Sequence, residues 1–115
     1  MTTPYNSENP LACPVVATLN LMGGKWKPML IHALHGQPMR FGQLKKLMLP
    51  ISQKVLTEQL RELEHNHIVS REVIAGKIVQ VTYALTEYGQ SLAPVLDALY
   101  AWGEKHAAYA LRENI

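Results

Sequence analysis

The sequence predicts a mainly α-helical domain with one small β-hairpin, an α+β fold, and three observations point to it. Apolar residues recur at helical spacing in separate segments up to about residue 66. The period then switches to alternation around a glycine-containing turn between Val69 and Leu85. A long helical stripe returns after Thr86 and runs towards the end. The chain has 115 residues, enough for one compact domain, and 48% are hydrophobic. A chain this short buries proportionally little surface, so it is expected to gain from a partner.

Thr2, Thr3, Pro4, Asn6, Ser7, Asn9 and Pro10 are coil and turn formers. They predict a flexible segment over 1–12, with the domain proper over 13–115. Pro14 suits the first turn of a helix, where no N–H donor is needed. Val15, Leu19 and Met22 follow at i, i+4 and i+7, and Gly23 and Gly24 end the helix. A second helix places Trp26, Met29, Leu30, Ala33 and Leu34 on one face, with Pro28 confined to its first turn. Gly36 stops it and Pro38 marks a loop.

Phe41, Leu44, Leu47 and Met48 mark a short third helix, with Gln43, Lys45 and Lys46 on the other side. Pro50 ends it and pushes Leu49 towards an extended backbone. Ser52 is the N-cap of a fourth helix, and Ile51 with Leu56 fits a hydrophobic staple. Leu56, Leu60 and Leu63 line its core face, and it should fade near His65 to His67. Val69, Arg71 and Val73 form one strand. Ala75, Gly76 and Lys77 turn the chain, and Val79, Val81, Tyr83 and Leu85 share a face of the next strand. Thr86 is read as N-cap of the last helix, carrying Leu92, Val95, Leu96, Leu99 and Trp102. Pro94 should kink that helix or push its start towards Ser91.

The third and fourth helices are joined by a turn of helix-turn-helix length, and a hairpin follows the second of them directly. This is the order of a winged helix-turn-helix. It sets a recognition helix at about 52–66, a wing at about 69–85 and a C-terminal helix at about 87–113. In such a motif the recognition helix lies in the major groove with its N-terminal residues nearest the bases.

Net charge is only +2, but its distribution is uneven. From Lys25 to Thr57 there is no acid, while Lys25, Lys27, Arg40, Lys45, Lys46 and Lys54 all fall there. This is the footprint expected of phosphate binding, although a solvated basic face reads the same way. Away from the core face, Ser52, Gln53, Lys54, Thr57 and Arg61 can donate hydrogen bonds to bases or phosphates. Glu58 is expected to pair with Lys54 or Arg61 along the helix. Arg40, Lys45 and Lys46 would flank the groove, and Lys77 would contact DNA from the wing tip.

The last helix carries more apolar surface than a small domain should leave exposed, at Leu92, Leu96, Leu99, Tyr100 and Trp102. The first helix has a similar excess at Val15, Val16 and Leu19. Pairing both across a two-fold axis would bury them, so these terminal helices are expected to form a dimer interface, with some of their residues entering the protomer core instead. No apolar run reaches the roughly 18 residues of a membrane span, and no signal sequence opens the chain. The lone Cys13 excludes an intramolecular disulfide and fits a cytoplasmic protein. His65 and His67 lack further ligands at metal spacing. No phosphate-binding glycine motif, HExxH or serine elbow occurs, so no enzyme and no cofactor is expected.

Several motifs agree with one known family. They are Cys13-Pro14-Val15, Gly23-Gly24-Lys25-Trp26, Arg40-Phe41-Gly42-Gln43-Leu44, Ile51-Ser52-Gln53-Lys54-Val55-Leu56-Thr57, Leu60-Arg61-Glu62-Leu63-Glu64 and Tyr83-Ala84-Leu85-Thr86-Glu87-Tyr88-Gly89. Together, over about residues 13 to 105, the chain closely resembles the HxlR-type family of bacterial winged helix-turn-helix transcription regulators. The resemblance implies homodimers built by the terminal helices and bound to double-stranded operator DNA as repressors or activators. It places the recognition helix at Ser52 to Asn66 and the wing at Ile74 to Val79, shorter than in many members. Some members use a cysteine at the place of Cys13 to sense oxidants, quinones or aldehydes. Cys13 also precedes a helix whose dipole favours a thiolate, which makes it a candidate sensor; the alternative is a small packing residue. A small-molecule effector is a further candidate partner. The competing functional reading is a winged-helix module for protein–protein contact without operator binding.

Overall fold

A computed structural model describes residues 13–113. The expected flexible segment 1–12 lies outside the described residues. The elements are α1 (Pro14–Met22), α2 (Trp26–Leu34), β1 (Met39–Arg40), α3 (Phe41–Leu47), α4 (Gln53–His65), β2 (Val69–Ile74), β3 (Gln80–Leu85), α5 (Glu87–Gln90) and α6 (Ala93–Glu113). This is the predicted winged helix-turn-helix.

Two local expectations need correction. The segment after Gly36 was expected to be only a loop, yet Met39 and Arg40 form β1 and pair antiparallel with Tyr83 and Thr82 of β3. The sheet therefore has three strands, in the order β1-β3-β2. A two-residue strand carries too little alternation to be read, and a proline is permitted just before a strand begins. The last helix is also divided. Thr86 caps the short α5, and α6 starts at Ala93 with Pro94 in its first turn. There the missing N–H breaks no ladder, so of the two outcomes expected from Pro94 the later start is the one adopted.

The core lies between α2, α3, α4 and the sheet. Leu30, Leu34, Leu44, Leu56, Leu60 and Leu63 are buried as expected, and Ile31, Ile68 and Val69 join them. The two staple residues, Ile51 and Leu56, are both buried in the core at the start of α4. Met22 and Met48 fill the core, whereas Met29 and Leu47 face outwards. Val73 and Val79 are exposed as well, because the tip of the hairpin projects past the helices; Val69, Tyr83 and Leu85 are buried and Val81 packs partly against the core.

The end of α4 is closed by a Schellman motif. The N–H of Ile68 donates to the Leu63 carbonyl at 2.9 Å, and that of His67 to Glu64 at 3.0 Å. His67 sits at φ 62, the left-handed region this motif requires. The start of α5 clasps the same corner. Thr86 Oγ1 donates to the His67 carbonyl at 2.5 Å and accepts the Gly89 N–H at 2.9 Å, while the Thr86 N–H donates to the Ile68 carbonyl at 3.0 Å. Gly89 has no room for a side chain, since a Cβ there would lie 2.1 Å from the Ile68 carbonyl oxygen.

Candidate nucleic-acid interface

Helix α4 presents its first turn to solvent because its leucines face inwards. Leu56, Leu60 and Leu63 are buried at i, i+4 and i+7, which turns Gln53 and Lys54 outwards. Ser52 caps the helix, its Oγ accepting the Val55 N–H at 3.1 Å. No acid occupies the first turn of α4, so its partial positive end is unopposed there. The face is ready for anionic groups through free N–H donors, a lysine and a glutamine amide.

The remaining residues singled out from the sequence are distributed as follows. Thr57 is half-buried and its hydroxyl donates to the Gln53 carbonyl at 2.8 Å, which leaves it an acceptor towards any ligand. Arg40 is exposed on β1, beside the start of α3, where its backbone N–H donates to Gln43 Oε1 at 2.9 Å. Lys45 is half-buried and Lys46 exposed on α3. Lys77 is exposed in the hairpin tip between β2 and β3.

The expected pairing of Glu58 with Lys54 or Arg61 is not formed. Among the described residues the one ion pair joins Lys27 to Glu62, at 2.5 Å. An i,i+4 pair of exposed side chains adds only ~0.3–0.5 kcal/mol, so nothing compels it. Among the described residues Lys54 has no carboxylate partner. Arg61, expected to face DNA with Lys54, lines a cavity between α2 and α4 with Lys27, Glu62, His65 and Asn66.

The sequence reading missed two site features: the position of Lys27 against α4, and Gly89. Lys27 gives no local signal, since its partner is 35 residues away. Gly89 does, as it stands three residues after the capping Thr86, where a helix interior ordinarily avoids glycine.

Cys13 is the N-cap residue of α1 and partly exposed; its carbonyl accepts the Ala17 N–H at 3.0 Å. Of the residues expected at a dimer interface, Val15, Leu19, Leu99 and Trp102 are exposed. Leu92 is half-buried against the core. Leu96 is 6% exposed and belongs to the protomer core, which leaves it little to offer a partner. The exposed apolar side chains of α6 include Leu99, Tyr100, Trp102 and Tyr109, and the Tyr100 ring also stacks on His32 of α2.

A family model described as HxlR-like helix-turn-helix matches residues 21–110. The chain belongs to the HxlR-like helix-turn-helix family. Relatives of this HxlR-like protein are transcriptional regulators. YdeP of Bacillus subtilis, an HTH-type transcriptional regulator, is 43% identical over 102 residues, covering 89% of this chain and 80% of the relative. Among solved structures, the redox regulator HypR in its reduced form superposes with a TM-score of 0.81 at 38% identity, over 90% of this chain and all of that one. YodB from B. subtilis, in its diamide-treated form, gives a TM-score of 0.68 at 39% identity, over 81% of this chain and 93% of that one. Among the described residues no helix is long and apolar enough to cross a membrane.

Proposed function

We propose that this HxlR-like protein binds operator DNA in the cytoplasm as a homodimer and regulates transcription, with α4 of each protomer in a major groove. The observation that carries this reading is the first turn of α4, capped by Ser52, free of acid, and exposing Gln53 and an unpaired Lys54. Gln53 suits adenine and Lys54 suits guanine, while Ser52 and the helix N-terminus suit phosphate. Arg40, Lys45 and Lys77 flank this turn as phosphate contacts, and Thr57 accepts rather than donates. Phosphate contacts set register, and base contacts set sequence.

The dimer reading rests on what one protomer leaves uncovered. Val15, Leu19, Leu99, Tyr100, Trp102 and Tyr109 are exposed on α1 and α6. The radius of gyration is 16.6 Å, against ~13 Å for a compact domain of this size. A second copy covering these faces would bring two recognition helices to half-sites about 34–36 Å apart.

Cys13 is proposed as a thiol sensor at the start of α1. Support comes from its partly exposed position at a helix N-terminus and from the relatives known as a redox regulator and in a diamide-treated form. Modification there would act on the helix assigned to the dimer interface and so on the spacing of the two α4 helices.

The test is a mobility-shift titration against the promoter region flanking its own gene, with unrelated duplex as competitor, followed by footprinting. The expected result is one shifted species and two protected half-sites. A protein that is monomeric, or that unrelated duplex displaces as readily as its own, would refute the reading.

A further inference from the structure

We propose that the cavity between the first turn of α2 and the last turns of α4 binds a small anion bearing a carboxylate or phosphate group, and that a low-molecular-weight effector acts there. Binding itself stands apart from the DNA-binding reading; only its consequence for transcription rests on that reading. The cavity measures about 320 Å³ and is lined by Lys27, Arg61, Glu62, His65 and Asn66. It is open to solvent, with Arg61, Glu62, His65 and Asn66 all exposed around it, and its volume reaches the lower end of small-molecule sites.

The lining is rich in donors. The Lys27 side chain is only 11% exposed and meets one carboxylate, that of Glu62, which is itself 55% exposed. An ammonium has three donors, so Glu62 leaves Lys27 with capacity for a second acceptor. Arg61 contributes a guanidinium fork with no carboxylate within salt-bridge reach among the described residues, a geometry that matches carboxylate or phosphate. His65 and Asn66 add further polar groups. Four donor-bearing side chains thus face a single acid.

The helix dipoles do not cancel this. The negative end of α4 opposes an anion, but three of its last four carbonyls are occupied: Glu62, Leu63 and Glu64 accept the N–H groups of Asn66, Ile68 and His67. The positive end of α2 works in favour, for its first turn holds no acid and its N-cap, Lys25, supplies no side-chain acceptor.

The position gives such a ligand leverage. Lys27 lies just past Gly24, whose φ of 71 turns the chain from α1 into α2. Arg61 lies on the same helix as Lys54, ~10 Å along its axis. An anion held by both would fix the α1–α2 corner against the DNA-reading helix.

Calorimetry on the DNA-free dimer, with inorganic phosphate and benzoate as separate probes at constant chloride, tests the site. The expected result is saturable binding of at least one probe at one site per protomer. Arg61→Ala and Lys27→Met should each weaken it about tenfold. Glu62→Gln should tighten it, since it removes the internal competitor for Lys27. Arg61 lies on the surface, so its substitution stays informative even where Lys27→Met fails to fold. Absence of saturable heat with both probes, or an Arg61→Ala protein that binds like the parent, would overturn the proposal. In a probe-free operator titration, Arg61→Ala should keep the parental salt dependence. A slope smaller by about two, one for each copy of Arg61, would assign Arg61 to a duplex phosphate and overturn the small-anion site. A parent that binds the anion but no duplex refutes operator binding and leaves this site standing.

Discussion

At the scale of single residues, the proposed function rests on Lys54 and Cys13. Lys54 stands exposed in the first turn of α4 with its ammonium unpaired. Lys54→Ala should therefore lower operator affinity by ~1–3 kcal/mol with little effect on folding, as read by titration of labelled operator. A loss confined to the operator marks a base contact; an equal loss on unrelated duplex marks a phosphate contact. An unchanged affinity would remove Lys54 from the interface. Cys13→Ser should retain operator binding and lose any response to diamide, checked by mobility shift before and after treatment. The outward face of α4 was legible in the sequence because three leucines at helical spacing leave only one orientation for Gln53 and Lys54. The partner of Glu62 was not legible. Exposed charges choose among several partners at small energetic difference, and Lys27 became the partner only once α2 packed across α4.

Among the elements, the corner between α4 and β2 governs how the recognition helix and the wing are held. The Schellman motif ends α4 there, and Thr86 and Gly89 at the start of α5 fasten the His67 and Ile68 carbonyls. Gly89→Ala forces a Cβ against the Ile68 carbonyl oxygen at 2.1 Å, and backbone must move to admit it. The expected loss is ~1–3 kcal/mol of stability, measured by urea unfolding. Thr86→Ala should cost about 1 kcal/mol as a lost cap. An unchanged unfolding midpoint in both variants would show that the clasp contributes nothing. Long amphipathic helices and capped starts were readable beforehand, as α4 with Ser52 illustrates. The two-residue β1 was not, since its existence depends on β3 arriving from more than forty residues away. The division of α5 from α6 was half visible: Pro94 announced a break, but Thr86 caps as well in front of four residues as in front of twenty.

For the whole molecule, the proposed function requires two copies. One protomer leaves the outer faces of α1 and α6 uncovered while its core closes around α2, α3, α4 and the sheet. Replacing both Leu99 and Trp102 by Asp should yield a folded monomer in sedimentation, with operator affinity reduced by orders of magnitude because two half-sites are no longer read together. The sequence foretold the surplus of apolar surface but assigned Leu96 to it, since a stripe at helical spacing does not tell which edge of the helix meets its own core. The central claim is that a symmetric pair sets the acid-poor first turn of α4 and its flanking cations against duplex phosphates. It is tested most directly by titrating the dimer against its operator across a series of salt concentrations. With Arg40, Lys45, Lys54 and Lys77 from each copy available for phosphate, log affinity should fall linearly with log salt at a slope between about −4 and −7. A slope near zero, or no saturable binding at low salt, would contradict the account.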